Sequence, residues 1–499
     1  MAVAVGAARR RLLHHASPLA WVLAAGALGA LAMVLSYIGN PLAGPAVCAG
    51  ALLVAATIAR PEIGIAAWFP MVPMGLLGAQ VGPQWLLSSI WALFLFSLTI
   101  ARRPVGERIV GDLSSAASDE QRLRHSLPAL APVLLIFVAI TLVEALLDVH
   151  FSAALKPIRT IVTGTLMFFV ITAFVRERAH FVWVLAGIAL AAGLVGAVAI
   201  NDYRTGNTTF GFYGSSGELV ERVTAGFGQP NQLGGFLAIL VPLTIAGALV
   251  VRAGKLLFVL AGGLALAGVY LSFSRGALLA LLAIPLVFLG VRRSLLFFPV
   301  ALAILLTVIP GVLKERFATL TAGGGETATR LNIWNAAEKI WSAHPVLGVG
   351  PGGFPQAYTE ANIPGKAFLP STIFQPPPHA HDLFLNLLAE QGLIGLTAFL
   401  LLLGLALAGL ARARHSTERW IRLTAVALMA MIAVFLVHNL FDVTLIEGTG
   451  QYVWALLGVC SALIAIEARR RSLLGASPHE PSRAASPPVA ACVGGPKAP

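Results

Sequence analysis

The stretch PPPHAHDLFLNLLAEQGLIGL, Pro376 to Leu396, sets His379, His381 and Asp382 at the mouth of an apolar run. Asp382, Asn386 and Glu390 then recur every four residues, which draws one polar stripe down a helix. A histidine there has the chemistry to take a proton from a hydroxyl. The dipole at a helix N-terminus disfavours the imidazolium, so His381 is expected to be neutral, as a base must be. Elsewhere, Arg275 sits in SFSRGA between two apolar runs. Arg222 and Arg330 lie in long polar segments, and Asp442 ends HNLFD. The guanidinium fork matches phosphate oxygens, so several arginines facing one cavity suit a diphosphate.

Each of these residues has a plainer role available. An arginine at a membrane interface is ordinarily an anchor whose stem lies along apolar surface. Arg275 fits that role poorly, because it is flanked by Ser272, Ser274 and Gly276 in a helix break. A lone histidine near a helix start is ordinarily structural, but two histidines and an aspartate behind three prolines depart from that pattern. HPVLGVGPGGF, residues 344–354, has the glycines of a phosphate loop but lacks the Gly-Lys-Ser/Thr ending. It reads as a tight connector. Cys48, Cys460 and Cys492 lie far apart with no CxxC spacing, which argues against a disulfide framework or a zinc site.

The elements that must position these groups follow from composition. The chain has 499 residues, 58% hydrophobic and 11% charged, and its mean hydropathy is +0.84. Soluble domains carry about 25% charged residues. Many runs reach the roughly 20 apolar residues that span a bilayer. The net charge of +12 does not point to nucleic acid, because the cations sit in short clusters between apolar runs. Spans are expected at 17–38, 43–59, 62–79, 85–101, 128–148, 157–175, 180–200, 231–251, 256–272, 276–291, 294–310, 381–410, 423–440 and 451–467. Some pairs are short and tightly joined, so the expected count is about twelve to fourteen.

Alternating the loops places most Lys and Arg on one side, including Arg9–Arg11, Arg292, Arg293 and Arg469–Arg471. By the positive-inside rule that side is the cytoplasm, and it holds both ends of the chain as given. The segments 201–230 and 311–380 then fall on the outer side, with His381, Arg222, Arg275, Arg330 and Asp442. Within the second, RLNIWNAAEKIW puts Ile333, Trp334, Ala337, Ile340 and Trp341 on one helical face, as an interfacial helix would. Residues 1–16 are expected to be a cytoplasmic N-terminus. The stretch 468–499, rich in Pro, Ala and Ser, is expected to be a disordered cytoplasmic tail.

Four segments together resemble the O-antigen ligase and polymerase superfamily. PHAHDLFLNLLAEQGLIGL resembles its His-Asn-x-x-Leu…Glu-x-Gly-x-x-Gly signature, and LSFSRGALLAL its Ser-Arg-Gly motif. TRLNIWNAAEKIWSAHPVLGVGPGGF resembles the loop before the histidine, and GFGQPNQLGGFLAILVPL the Asn-Pro-Asn start of a helix. The resemblance implies an all-α polytopic membrane protein, a GT-C-type glycosyltransferase with a large periplasmic loop. It implies an undecaprenyl-diphosphate-linked glycan as donor and, for the ligases, a hydroxyl of lipid A–core as acceptor. No cofactor, metal or nucleotide is implied. His381 matches the family's catalytic histidine, Arg275 and Arg330 its essential arginines, Arg222 a further arginine and His379 a frequent companion. Asp382 stands where the family has Asn, which is a departure.

O-antigen or exopolysaccharide polymerases and protein O-oligosaccharyltransferases share this chemistry and differ in acceptor. A transporter would be a different class. Transport sites usually place ionisable groups near the bilayer midplane, whereas here nearly all the acids and bases fall near helix ends.

Overall fold

The computed structural model describes residues 43–77, 86–102, 130–147, 151–208, 210–213, 219–290, 325–360 and 377–475, with Pro128 and Arg293. In chain order the helices are α1 (Ala43–Ala59), α2 (Pro61–Leu77), α3 (Leu86–Arg102), α4 (Ala131–Leu147), α5 (Phe151–Phe174) and α6 (Arg178–Thr205). A short antiparallel pair follows, β1 (Phe210–Tyr213) and β2 (Leu219–Arg222). Then come α7 (Pro230–Val250), α8 (Lys255–Leu271), α9 (Arg275–Leu281), α10 (Ala283–Leu289), α11 (Gly325–Ala343) and α12 (Phe354–Glu360). The chain closes with α13 (Leu383–Ala413), α14 (Arg419–His438) and α15 (Glu447–Gly475).

The fold is that of an all-α polytopic membrane protein. Six helices among the described residues are long and apolar enough to cross a bilayer: α5, α6, α7, α13, α14 and Gly448–Leu473 of α15. Their outward faces are apolar: Leu155 of α5 and Leu393 and Leu401 of α13 are each about half exposed. Such surface is at home only in lipid. Inside, α6 packs against α2, α7 and α8, while α5 packs along α15. Small residues let these backbones touch. A Cβ added at Gly196 of α6 would meet the Leu264 carbonyl oxygen of α8 at 2.3 Å.

Most expected spans fall on observed helices, with two instructive differences. The span expected at 276–291 is two short helices, α9 and α10, meeting at Leu282. Pro285 supplies the reason, since it cannot donate to the Leu281 carbonyl four residues back. The segment 201–230 carries the β1–β2 pair, which no helical periodicity could announce. The N-terminus expected at 1–16, the spans expected at 17–38 and 294–310 and the chain after 475 lie outside the described residues.

The histidine-bearing helix α13 is broken inside. Gly392 has φ 61° and ψ −162°, a conformation open only to glycine. The turn opened there leaves backbone groups that a membrane cannot hydrogen-bond. The 344–353 connector fills them. Val349 and Gly350 N–H donate to the Ala389 and Glu390 carbonyls at 3.0 and 2.9 Å. Leu393 N–H donates to the Pro345 carbonyl at 3.0 Å. The connector is therefore a backbone clamp on α13, and its other end continues into α12.

Candidate active site

The break between α8 and α9 shapes the first wall. Phe273 lies at φ 48°, and the Ser274 hydroxyl accepts the Ala277 N–H and caps α9. Arg275 is the first residue of that helix. Arg222, the last residue of β2, ties this break to the start of α7. Its Nε donates to the Ser272 carbonyl at 2.9 Å, and its guanidinium donates to Asn231 Oδ1 at 2.9 Å. Arg330 comes from α11, whose buried face (Ile333, Ala336, Ala337 and Ile340) packs against α13. These three arginines line one cavity of about 140 Å³ together with Asn231, Trp334, His438 and Asp442. An apolar cavity of similar size takes a benzene-sized molecule.

The second wall is the turn after α14. Asn439 ties it down by donating to the Phe435 carbonyl and to Thr444 Oγ1, both at 2.8 Å. Its own carbonyl accepts the Leu383 N–H, which fixes the start of α13 against the turn. Asp442 is thereby held beside both histidines. His379 Nε2 and His381 Nδ1 lie 3.8 and 3.6 Å from Asp442 Oδ1. The side chains of His379 and Asp442 are 2% and 1% exposed, while that of His381 is 19% exposed. His381 sits at φ 53°, in the left-handed region that a non-glycine residue adopts only under constraint. Its N–H donates to His379 Nδ1 at 3.2 Å, and the rings meet edge to face.

The charge states follow from these neighbours. Burial pushes His379 down to about 4, helped by His381 and Arg330 and opposed by Asp442. Burial alone would raise Asp442, but the His381 imidazole and the nearby His379 and His438 hold it at about 2. Between those values and neutral pH the pair is a carboxylate beside a neutral imidazole. Asp442 then faces His381 Nδ1 at 3.6 Å, placed to accept a hydrogen bond from it in the tautomer that leaves Nε2 as the basic nitrogen.

His379, His381 and Asp442 offer two nitrogens and one oxygen within 4.8 Å of one another, a set that a divalent cation could bridge. The hydrogen bonding present favours another use. Because His379 Nδ1 accepts the His381 amide, its ring proton sits on Nε2, the atom turned toward Asp442.

Six of the seven residues read from the sequence thus gather at this site. Asp382 does a different task. It caps α13, accepting the Phe384 and Leu385 N–H at 2.8 and 2.9 Å, and burial raises its pKa despite those bonds. The polar stripe below it is also structural: Asn386 Oδ1 accepts the Ala380 N–H, and Glu390 accepts the Phe354 N–H. Sequence reasoning passed over Asn231, Trp334 as a cavity residue, and His438. The His438 imidazole fits because Gly235 faces it, with Gly276 in ordinary contact on the other side. A Cβ at Gly235 would lie 2.2 Å from its Nε2, and one at Gly276 would lie 3.6 Å from its Nδ1. In the sequence only the last glycine of GQPNQLGG, Gly235, hinted at that, and only in hindsight of its packing.

Residues 260–400 match the family model described as O-antigen ligase. No curated protein gives a match to the chain. The matched range contains Arg275, Arg330, His379, His381 and Asp382, whereas Arg222, His438 and Asp442 lie outside it.

Proposed function

We propose that this chain, a member of the O-antigen ligase family by its residues 260–400, transfers O-antigen polysaccharide from undecaprenyl diphosphate to a hydroxyl of lipid A–core on the periplasmic face of the inner membrane. Glycan transfer of the ligase or polymerase type is the family's activity. The observation that carries the finer reading is the cavity where Arg222, Arg275 and Arg330 meet Asp442, itself 3.6 Å from His381. Three forked cations beside an imidazole–carboxylate pair make a site for a diphosphate leaving group and a hydroxyl nucleophile.

The reaction runs as a single inverting displacement of the GT-C type. The prenyl chain lies in lipid and the diphosphate in the cavity. Asp442 orients the His381 ring and stabilises the imidazolium as it forms. His381 Nε2 removes the acceptor hydroxyl proton while that oxygen attacks the anomeric carbon from the face opposite the diphosphate. The bond from that carbon to the diphosphate oxygen breaks and its electron pair leaves with undecaprenyl diphosphate. Arg222, Arg275 and Arg330 meet the charge that develops there. The donor linkage supplies the driving force, so the reaction calls for no ATP, and the arginines stand where other enzymes place a divalent cation. Asp382, Asn386 and Glu390 bond to neighbouring backbone, which speaks for a fixed scaffold over a transport path.

The test is reconstitution of the purified chain with undecaprenyl-diphosphate-linked O-antigen and lipid A–core. Ligated lipopolysaccharide should form in EDTA as well as without it. Polymerised glycan, or glycoprotein from an added protein acceptor, in place of ligated product would move the chain to the polymerase or protein-glycosylating branch. Activity lost in EDTA and restored by Mg²⁺ would overturn the metal-free mechanism. Cysteines placed at Arg330 and Gly365 should react with a membrane-impermeant thiol reagent in cells with a permeabilised outer membrane, and one at Arg108 should not. The reverse pattern would invert the topology.

A further inference from the structure

Trp334 is the large aromatic side chain that α11 contributes to the arginine cavity, alongside Leu331. It stands four residues after Arg330, one turn further along the same face, so the two side chains are neighbours about 5–6 Å apart at Cβ. Its indole Nε1 is buried and has no hydrogen-bond partner among the described residues. Buried donors without a partner are rare, because each costs stability. The same helix supplies a contrast. Trp341 donates its Nε1 to the Pro345 carbonyl at 3.2 Å and so fastens the connector. One tryptophan of α11 is spoken for and the other holds a donor in reserve beside a cationic cavity.

We propose that Trp334 is the platform for the donor's first sugar, the hexopyranose ring joined directly to the diphosphate. The inference rests on the diphosphate reading of the cavity. A diphosphate held by Arg330 leaves its sugar a few bonds away, which is the distance of one helix turn. A pyranose presents a face of C–H groups edged by hydroxyls. An indole matches both, with its flat apolar surface under the ring and its N–H at the rim to meet a hydroxyl oxygen. Phe273 and Phe441 add apolar wall to the same cavity, so the site divides into a cationic part for phosphate and an aromatic part for the ring. Trp334 would thus contribute recognition of the glycan, which the arginines alone cannot provide.

Two probes separate these parts: farnesyl diphosphate, and farnesyl diphosphate bearing one N-acetylglucosamine. Dissociation constants are measured on the purified full chain in detergent. Trp334→Ala should weaken the sugar-bearing probe about tenfold and leave farnesyl diphosphate within about twofold. Trp334→Leu, which keeps apolar bulk without an aromatic face, should behave as the Ala variant does, and Trp334→Phe should keep most of the affinity. Arg330→Ala should weaken both probes together. Equal weakening of both probes by Trp334→Ala and Trp334→Leu, or no effect on either, would overturn the platform while leaving the diphosphate site standing. Failure of the unaltered chain to bind farnesyl diphosphate would overturn the diphosphate reading, and the platform with it.

Discussion

Helix α14 carries a charged cluster at each end, and the two are built on opposite plans. Near its start, Glu467 accepts from Arg471 Nε at 2.7 Å, Arg470 Nε at 2.9 Å and the Ser416 hydroxyl at 2.8 Å. Every contact there has hydrogen-bond length. At its far end, His381 Nδ1 and His379 Nε2 stop at 3.6 and 3.8 Å from Asp442 Oδ1. His379 Nε2, His381 Nδ1, both His438 nitrogens and Asp442 Oδ2 are buried with no hydrogen-bond partner among the described residues. Twenty helical residues, about 30 Å, separate the two plans. The closed cluster is a fastening, and on the function proposed above the open one is where groups from outside the protein arrive.

That contrast is most exposed at His381. Its removal should cost transfer about 10²–10⁴-fold, the ordinary contribution of a general base. His381→Asn is the better variant, because Asn tolerates the left-handed backbone at φ 53°. His379→Ala should cost about tenfold, since it loses a positioning contact and not the base. The check is initial rate in the reconstituted system, with insertion verified by gel filtration. Near-normal activity in His381→Asn, with loss in His379→Ala, would exchange the two roles. At Arg275, charge can be separated from geometry. Arg275→Lys keeps the charge and loses the fork, and should lower the rate about 100-fold, close to Arg275→Ala. Full activity with Lys would reduce Arg275 to a source of field.

The two clusters also differ in how they could be read from sequence. His381, Arg275, Arg330, Arg222 and Asp442 announced themselves by type and by the end of the membrane they share. The spans announced themselves by apolar length. What stayed hidden needed contacts between distant segments. His438 sits among helix residues, and its ring has room beside the cavity because Gly235 faces it. Asp382 stood with the two histidines at the helix mouth and serves as a cap, since sequence cannot tell which way a carboxylate at a helix start turns. The hairpin that carries Arg222 has strands of four residues, too short for a periodic signal. The connector at 344–353 was legible as a turn but not as a clamp, because its partner carbonyls lie some forty residues on and are freed only by the kink at Gly392.

That kink gives the next prediction, on stability and not on chemistry. Gly392→Ala meets a glycine-only backbone, costing about 1–3 kcal/mol. Its Cβ would also stand 2.2 Å from the Val346 carbonyl oxygen. The melting temperature in detergent should fall, and the surviving protein should transfer poorly, because α13 can no longer hold the connector. An unchanged melting temperature would mean that the break is not needed.

A smaller effect concerns pH. Folded His379 takes a proton only at about 4, whereas the unfolded chain takes one near the ordinary 6.5. Between those values the unfolded state binds more protons, so stability is lost as pH falls from about 6.5 to 4, by up to about 3 kcal/mol. Asp442 acts in a different window. Its folded value of about 2 adds stability above the ordinary carboxylate range, lost only as pH drops from there toward 2. Melting temperatures at pH 7 and 4.5 should therefore differ less in His379→Gln than in the unaltered chain. An equal difference in both would assign the acid sensitivity to other groups.

The smallest expected effect on catalysis belongs to the closed cluster. Glu467→Gln removes the charge that Arg470 and Arg471 share. Both arginines are partly in water, with side chains 23% and 48% exposed, so each can be rehydrated. The carboxylate is the buried partner, at 4%. An amide there is neutral and can still accept the Ser416 hydroxyl, so no buried charge is left without a partner. The melting temperature should drop by a few degrees at most. Transfer should stay within about twofold, because the cluster lies a full helix length, about 30 Å, from His381. A tenfold loss of transfer without a matching loss of stability would mean that the two ends of α14 are coupled, and the distinction between a fastened end and an open end would have to be given up.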